Sequence, residues 1–260
     1  MKSYTQTLLQ IMFLMAFICM FGILQHKTSQ WDFLIFTQQW PQASCVDINN
    51  TRGETCFMER KVKTWTIHGI WPSRIGDEGP FYCNNSYPFK ETEVASLEPE
   101  LTTYWPNLIL DESKCSFWKH EWVKHGTCAM SLPTMDTEYK YFAQGLKFNR
   151  LFDFKAILAK QNIVPFTSPY KFSDFRKAIQ STTNTHMKIQ CIYSKDRQEQ
   201  AVIQVEICLK KDFTPIDCVQ TRRVRHLKFR PSWDSIPYNP SFEDCSESIP
   251  VQYLPLQYNV

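Results

Sequence analysis

The chain has 260 residues, 43% hydrophobic and 15% aromatic, with 29 basic and 26 acidic side chains and a formal charge of +3. That length and apolar content allow one substantial core, so a single domain is the expectation. A charge so close to balance excludes nucleic-acid binding as a conclusion from charge alone, because such folds carry a strong basic excess or a basic stripe.

Lys2 and a polar lead precede an apolar run from Ile11 to Leu24, and polar residues follow to Gln30. The run is shorter than the roughly 20 residues of a bilayer span, so residues 1–30 read as a secretory signal. An uncleaved anchor is the alternative, since no small-x-small cleavage site follows. Cysteine usage points to the same oxidising route: besides Cys19 in the signal there are Cys45, Cys56, Cys83, Cys115, Cys128, Cys191, Cys208, Cys218 and Cys245. Nine is an odd number, so one thiol is free or pairs with another chain. Asn49-Asn50-Thr51 and Asn84-Asn85-Ser86 are glycosylation sequons, with Asn49 and Asn84 as acceptors.

In chain order, WDFLIFTQQWP from Trp31 predicts a first strand stopped by Pro41. VKTWTIHGIWP, Val62 to Pro72, predicts a second. Alternation puts Trp65, Ile67 and Gly69 on one face and Thr66, His68 and Ile70 on the other. Phe89 to Leu101 suggests a short acidic helix, and Phe117 to His125 a helix ended by Gly126 in a left-handed cap. Glu138 to Gln161 has the i, i+3, i+4 spacing of one amphipathic helix or two, and Ser173 to Thr183 starts with a weak serine cap. Met187 to Tyr193 and Gln200 to Lys211 predict paired strands joined by the charged loop Lys195 to Gln200. Thr221 to Pro231 is a basic cluster, read as a solvated loop or as an electrostatic approach for RNA. Pro231 to Pro255 predicts an irregular surface tail pinned by Cys245. Without repeats, linkers or strict βαβ alternation, the expected fold class is α+β: an antiparallel central sheet with several flanking helices, in a single disulfide-bonded domain over residues 31–260.

The stretch SFWKHEWVKHGTC, Ser116 to Cys128, concentrates the chemistry. His120-Glu121 opens like a zinc-binding helix, but the next histidine is His125. Five steps of about 100° leave those rings some 140° apart on an α-helix, and Lys124 occupies the i+4 position, so no metal site is expected. Instead Glu121 with His125, and His120 with Lys124, are i, i+4 neighbours that can face one small volume. Glu121 and the helix C-terminus are expected to favour protonated His125. The plainer reading is a salt-bridged surface face with Phe117, Trp118 and Trp122 packed inward. His26, His186 and His226 lack any partner pattern. His68, flanked by Trp65 and Trp71, supplies a further imidazole. Two imidazoles near neutrality suit phosphodiester cleavage through a 2′-hydroxyl, one taking its proton and the other protonating the departing 5′-oxygen, with cations steadying phosphorus.

WTIHGIWP and FWKHEWVKHGTC resemble the two active-site signatures of the ribonuclease T2 family, the secreted and lysosomal acid ribonucleases of animal type. TQQWP at Thr37 to Pro41 and YWPNL at Tyr104 to Leu108 are similar to further family segments. The resemblance implies a cofactor-free endoribonuclease acting on single-stranded RNA through a 2′,3′-cyclic phosphate. It assigns His68 as general acid and His125 as general base, though the residues alone leave open which is which. It gives Glu121, Lys124 and His120 to the phosphate, and Gln39, Trp65 and Trp105 to nucleotide contacts, with packing as their alternative. It also implies the pairs Cys45–Cys56, Cys83–Cys128, Cys191–Cys245 and Cys208–Cys218, leaving Cys115 without a known partner. A secreted or lysosomal monomer is implied, with no obligate protein partner and no stable membrane association after signal removal. The rival is a secreted binding or signalling protein that keeps the fold and acts independently of cleavage; the retained histidines favour the enzyme.

Overall fold

Aliphatic and aromatic residues over Phe33–Gln39 form β1, which is buried on both faces. Leu34 and Phe36 enter the main core, and Phe33 and Ile35 join a smaller cluster with Cys208. The computed structural model describes residues 30–51, 53–76, 79–194, 196–218 and 242–258, together with Met12 and Met15. The expected signal, with Cys19, therefore falls almost wholly outside the described residues, as do the basic cluster Thr221 to Pro231 and the tail up to Ser241. Among the described residues no helix is long and apolar enough to cross a membrane.

β2 is Thr66–Ser73, β3 Lys188–Tyr193, β4 Gln200–Leu209, β5 Pro215–Ile216, β6 Phe242–Asp244 and β7 Val251–Gln252. They form one sheet in the order β2-β1-β4-β3-β6, with β5 and β7 also pairing to β4. All pairs are antiparallel except β4 with β7. β4 starts at Gln200, where the strand was expected to start, and ends at Leu209, so Lys210 and Lys211 lie beyond it.

Pro41 does not merely stop β1. It begins α1, Pro41–Thr51, a helix the sequence reading missed. Proline suits the first helical position because its fixed φ is helical and the N–H it lacks would have no intrahelical partner. The expected acidic helix is split into α2 (Glu91–Val94), a 3₁₀ turn (Ala95–Leu97) and α3 (Glu98–Tyr104). α4 covers Lys114–Glu121, capped by the Ser113 hydroxyl, and α5 is the single turn Thr127–Ala129. Glu138 to Gln161 forms two helices, α6 (Glu138–Leu151) and α7 (Phe154–Ala159), the second capped by Asp153. α8, Phe172–Gln180, starts from Lys171, so Ser173 lies inside the helix and does not cap it.

α6 lies against β1 and β2, where Phe36 meets Phe148 at 5.3 Å and the Tyr141 hydroxyl donates to the Ile70 carbonyl. The C-terminal segment corrects another expectation. Tyr253 is 0% exposed within the core, and the Leu254 carbonyl accepts from the Trp40 indole, so this part of the tail is structural. Four disulfides join Cys45 to Cys56, Cys83 to Cys128, Cys191 to Cys245 and Cys208 to Cys218, the pairs implied by the resemblance. Cys115 is a free thiol, pushed up to about 11 chiefly by burial.

Candidate active site

A β-bulge aims the first imidazole. Thr37 pairs with Gly69 and Gln38 with Ile67, so His68 is the extra residue in β2. A bulge bends its strand and re-aims the side chain it carries. Ile67 and Ile70 consequently both lie in the core, and the alternation that grouped His68 with Ile70 fails at this residue. The backbone is held on the core side: the Trp105 indole donates to the His68 carbonyl at 3.1 Å, and the Trp118 indole to the Trp105 carbonyl at 2.7 Å. His68 Nδ1 lies 2.6 Å from Gln204 Oε1 of β4.

The second imidazole depends on a π turn. After α4 the chain continues through Trp122–Gly126 in π geometry and on into α5, so no helix ends at Gly126, whose φ is −59°. Gly126 answers a packing need instead, since a Cβ there would fall 2.3 Å from Trp122 Cε3. Hydrogen bonding from i to i+5 puts one additional residue into the turn. His120 and His125 thereby acquire nearly the relation of i and i+4 in an α-helix, with ring centroids 6.5 Å apart.

This corrects the metal argument from sequence. One ligand atom each from His120, Glu121 and His125 lies within 4.8 Å of the others, so the cluster could hold a cation. The π turn removes the angular separation of the two rings, while the charge of Lys124 still acts on Glu121 and His125 and opposes a cation there.

Trp71 joins the two sides. Its ring centroid is 5.0 Å from that of His68 and 5.5 Å from that of His125, and its N–H donates to Glu121 Oε2 at 3.0 Å. Gly69 makes room for that bond, because a Cβ there would sit 2.2 Å from both Glu121 Oε2 and Trp71 Nε1. Burial pushes the Glu121 carboxyl up to about 8, against the Trp71 hydrogen bond and the Lys124 charge, which favour the anion. Burial, then Lys124, His120 and His68, hold His125 well below the ordinary histidine range. The expectation that Glu121 would favour a protonated His125 is thus reversed: desolvation outweighs the attraction, which needs an ionised carboxylate. Lys124 Nζ lies 5.5 Å from the Phe81 ring centroid, and Phe81 also meets the edge of His125. The Cys83–Cys128 bridge ties this loop to α5.

Beside His68 a pocket is lined by Gln39, Asp47, Asn107, Phe117 and Gln204 among others. Phe117, expected to be packing, is half-buried with its ring 6.0 Å from His68. Gln39 reaches the pocket, but Trp65 and Trp105 are 1% and 0% exposed and cannot stack on a nucleotide. Trp65 donates to the Tyr253 hydroxyl, and Trp105 supports the His68 backbone. Their packing alternative therefore holds. Sequence reasoning gave no site role to Phe81, Asn107 or Gln204. For Gln204 a signal existed, because QAVIQVEICL places a glutamine and a glutamate inside a strand that burial requires to be apolar.

An α+β fold that brings one imidazole from a strand and one from a helical turn to a shared indole has the makings of an acid–base enzyme. A model of the Ribonuclease T2 family matches residues 31–218. Ribonuclease Oy of Magallana gigas is 41% identical over 191 residues, covering 72% of this chain and 87% of the relative. Ribonuclease T2 of Danio rerio is 32% identical over 250 residues, covering 95% and 97%. The crystal structure of human RNase T2 matches with a TM-score of 0.67 at 32% identity, over 86% of this chain and 99% of that one. RNase NT, solved in complex with 5′-AMP, matches with a TM-score of 0.67 at 26% identity, over 87% and 100%. The chain belongs to the ribonuclease T2 family and is an endoribonuclease of the T2 type.

Proposed function

We propose that the protein cleaves single-stranded RNA by metal-independent transesterification, with His125 as general base and His68 as general acid. The observation that carries this reading is the meeting of both imidazoles at the Trp71 indole. His125, kept neutral by burial and nearby cations, takes the 2′-hydroxyl proton. O2′ then attacks phosphorus, the P–O5′ bond breaks, and His68 gives its proton to the departing O5′. A 2′,3′-cyclic phosphate and a 5′-hydroxyl result, and hydrolysis of the cyclic product is the slower second step. Lys124 and His120 bring positive charge to the phosphoryl oxygens, and Glu121, neutral in its buried setting at acid pH, polarises one of them. Phe117 offers a stacking face beside His68, with amide groups of Gln39 and Asn107 in the same pocket.

An oligonucleotide assay at mildly acid pH with chelator present tests this. Wild-type protein is expected to leave 2′,3′-cyclic phosphate ends, while His68→Ala and His125→Ala each lose about 10²–10⁴-fold in rate and still unfold cooperatively. Full turnover in either variant, or abolition by chelator, rejects the reading.

The same reading places the enzyme in the secretory pathway, secreted or lysosomal, as a monomer without cofactor, obligate protein partner or stable membrane association. The four disulfides support an oxidising compartment. Asn49 is exposed and Asn84 half-buried, each with its side-chain oxygen accepting a nearby backbone N–H, and both are proposed glycan acceptors.

A further inference from the structure

We infer that Gln204 is a positioning residue for His68: its side-chain carbonyl holds the Nδ1–H tautomer and so directs Nε2 to the reacting ester. The inference rests on the role proposed above for His68 and adds a residue outside both sequence signatures, 136 positions along the chain.

Register makes the contact possible. Gln204 on β4 stands opposite Gln39 of β1 and Gln190 of β3, so it lies in the middle of the sheet. His68 lies on the far side of β1, and its bulge displaces it from regular alternation. A second bulge adjoins Gln204, because Gln190 pairs with Gln204 while Cys191 pairs with Val202, leaving Ile203 as the extra residue. The two irregularities leave a short contact, 2.6 Å from Nδ1 to Oε1, across the intervening strand.

The amide orientation is set by its other neighbours. Gln204 Nε2 donates to Gln190 Oε1 at 2.8 Å and to Glu206 Oε1 at 3.3 Å. Flipping the amide would set its carbonyl oxygen against the carboxylate of Glu206, which is paired with Lys188 and has no N–H to offer, so Oε1 is the atom that faces His68. A carbonyl oxygen only accepts, which makes Nδ1 the donor and leaves proton exchange to Nε2. Behind the amide, Lys188 Nζ lies 3.7 Å from Glu206 and 3.8 Å from Asp244, so the array ends in charges at the sheet's far side. Around His68 itself stand Trp71 of β2 and Phe117 of α4, and the charge of His68 reaches His125 on the π turn.

An amide at this position differs from a carboxylate in its consequence. It fixes the tautomer without a full negative charge, so it does not strongly stabilise the imidazolium that must release a proton. Gln204 is 2% exposed, where an aliphatic side chain would satisfy packing alone.

The test combines ¹⁵N NMR of the histidine rings with pH profiles of cleavage for wild type, Gln204→Leu and Gln204→Glu. Neutral His68 in the wild type is expected as the Nδ1–H form. Gln204→Leu should release it into a mixture of tautomers and lower kcat about 10-fold or more with KM little changed. Gln204→Glu should move the alkaline limb of kcat/KM upward by about one pH unit, as an added opposite charge does. A purely structural glutamine would alter thermal stability and leave tautomer and limb in place, which would overturn the inference. If Gln204→Leu fails to fold, an Nε2–H tautomer in wild-type protein overturns it directly. Turnover surviving in His68→Ala would instead defeat the proposed function, whatever Gln204 does.

Discussion

Glu121 and His125 are adjacent ionisable groups whose burial acts in the same direction, towards neutrality. For Glu121 the folded value, about 8, lies above the ordinary 4.5, so its contribution to stability is full below 4.5 and is lost as pH rises through 8. Glu121→Gln keeps an oxygen for the Trp71 N–H and removes the cost of ionising a buried acid. The variant is therefore expected to gain in Tm relative to wild type as pH is raised, by about 5 °C or more at pH 8, with the gap closing near 4.5. Melting curves at both pH values check this, and a pH-independent difference would count against it. For His125 the folded value is depressed, so the stability it contributes is present above 6.5 and is lost as pH falls through the lower folded value. If it is the general base, the acid limb of kcat/KM should inflect below 6.5, as measured in a chelator-containing buffer series. The sequence made both groups visible as an i, i+4 pair. It did not show that burial favours the neutral form of each, because depth of burial is set by Trp71 and the surrounding loops.

At the scale of elements, two departures from regular geometry place the two imidazoles of the proposed mechanism: the His68 bulge in β2 and the π turn after α4. Each inserts one residue, and each moves an imidazole to where a regular strand or α-helix would not have put it. Gly126 permits the second. Gly126→Ala drives a methyl into the Trp122 ring and is expected to cost about 1–3 kcal/mol in chemical denaturation, as overpacking does. Because His125 is the preceding residue, kcat should fall in the same variant; unchanged stability and turnover together would show that the turn accommodates the methyl freely. Strands β1 to β4 were legible from β-branched and aromatic runs, and α6 with α7 from apolar spacing. α1 was not, because Pro41 is equally a strand terminator and a helix initiator, and the choice depends on which distant segments pack against the chain beyond it.

Across the molecule, the C-terminal segment closes over the core that the amino-terminal strand begins. Tyr253 contacts Trp40 at 4.6 Å and accepts from the Trp65 N–H at 2.9 Å, so residues far apart in sequence fix the base of β2. Tyr253→Ala is expected to cost about 3–5 kcal/mol by urea unfolding, through a cavity and an unpaired indole N–H. Activity per folded molecule should survive, since the tyrosine touches no group of the site; equal stability of the variant would place the segment outside the folding unit.

By itself the sequence determined the candidate catalytic side chains and their local spacing, because strand and helix periodicities act over a few residues and unusual residue types keep their chemistry in any fold. The family resemblance added the disulfide pairs. Tertiary structure alone decided that Trp65 and Trp105 are buried supports, that Phe117 lines a pocket, and that His68 meets Gln204. Cross-strand register, bulges and desolvation arise from contacts between distant segments, and no local pattern encodes them.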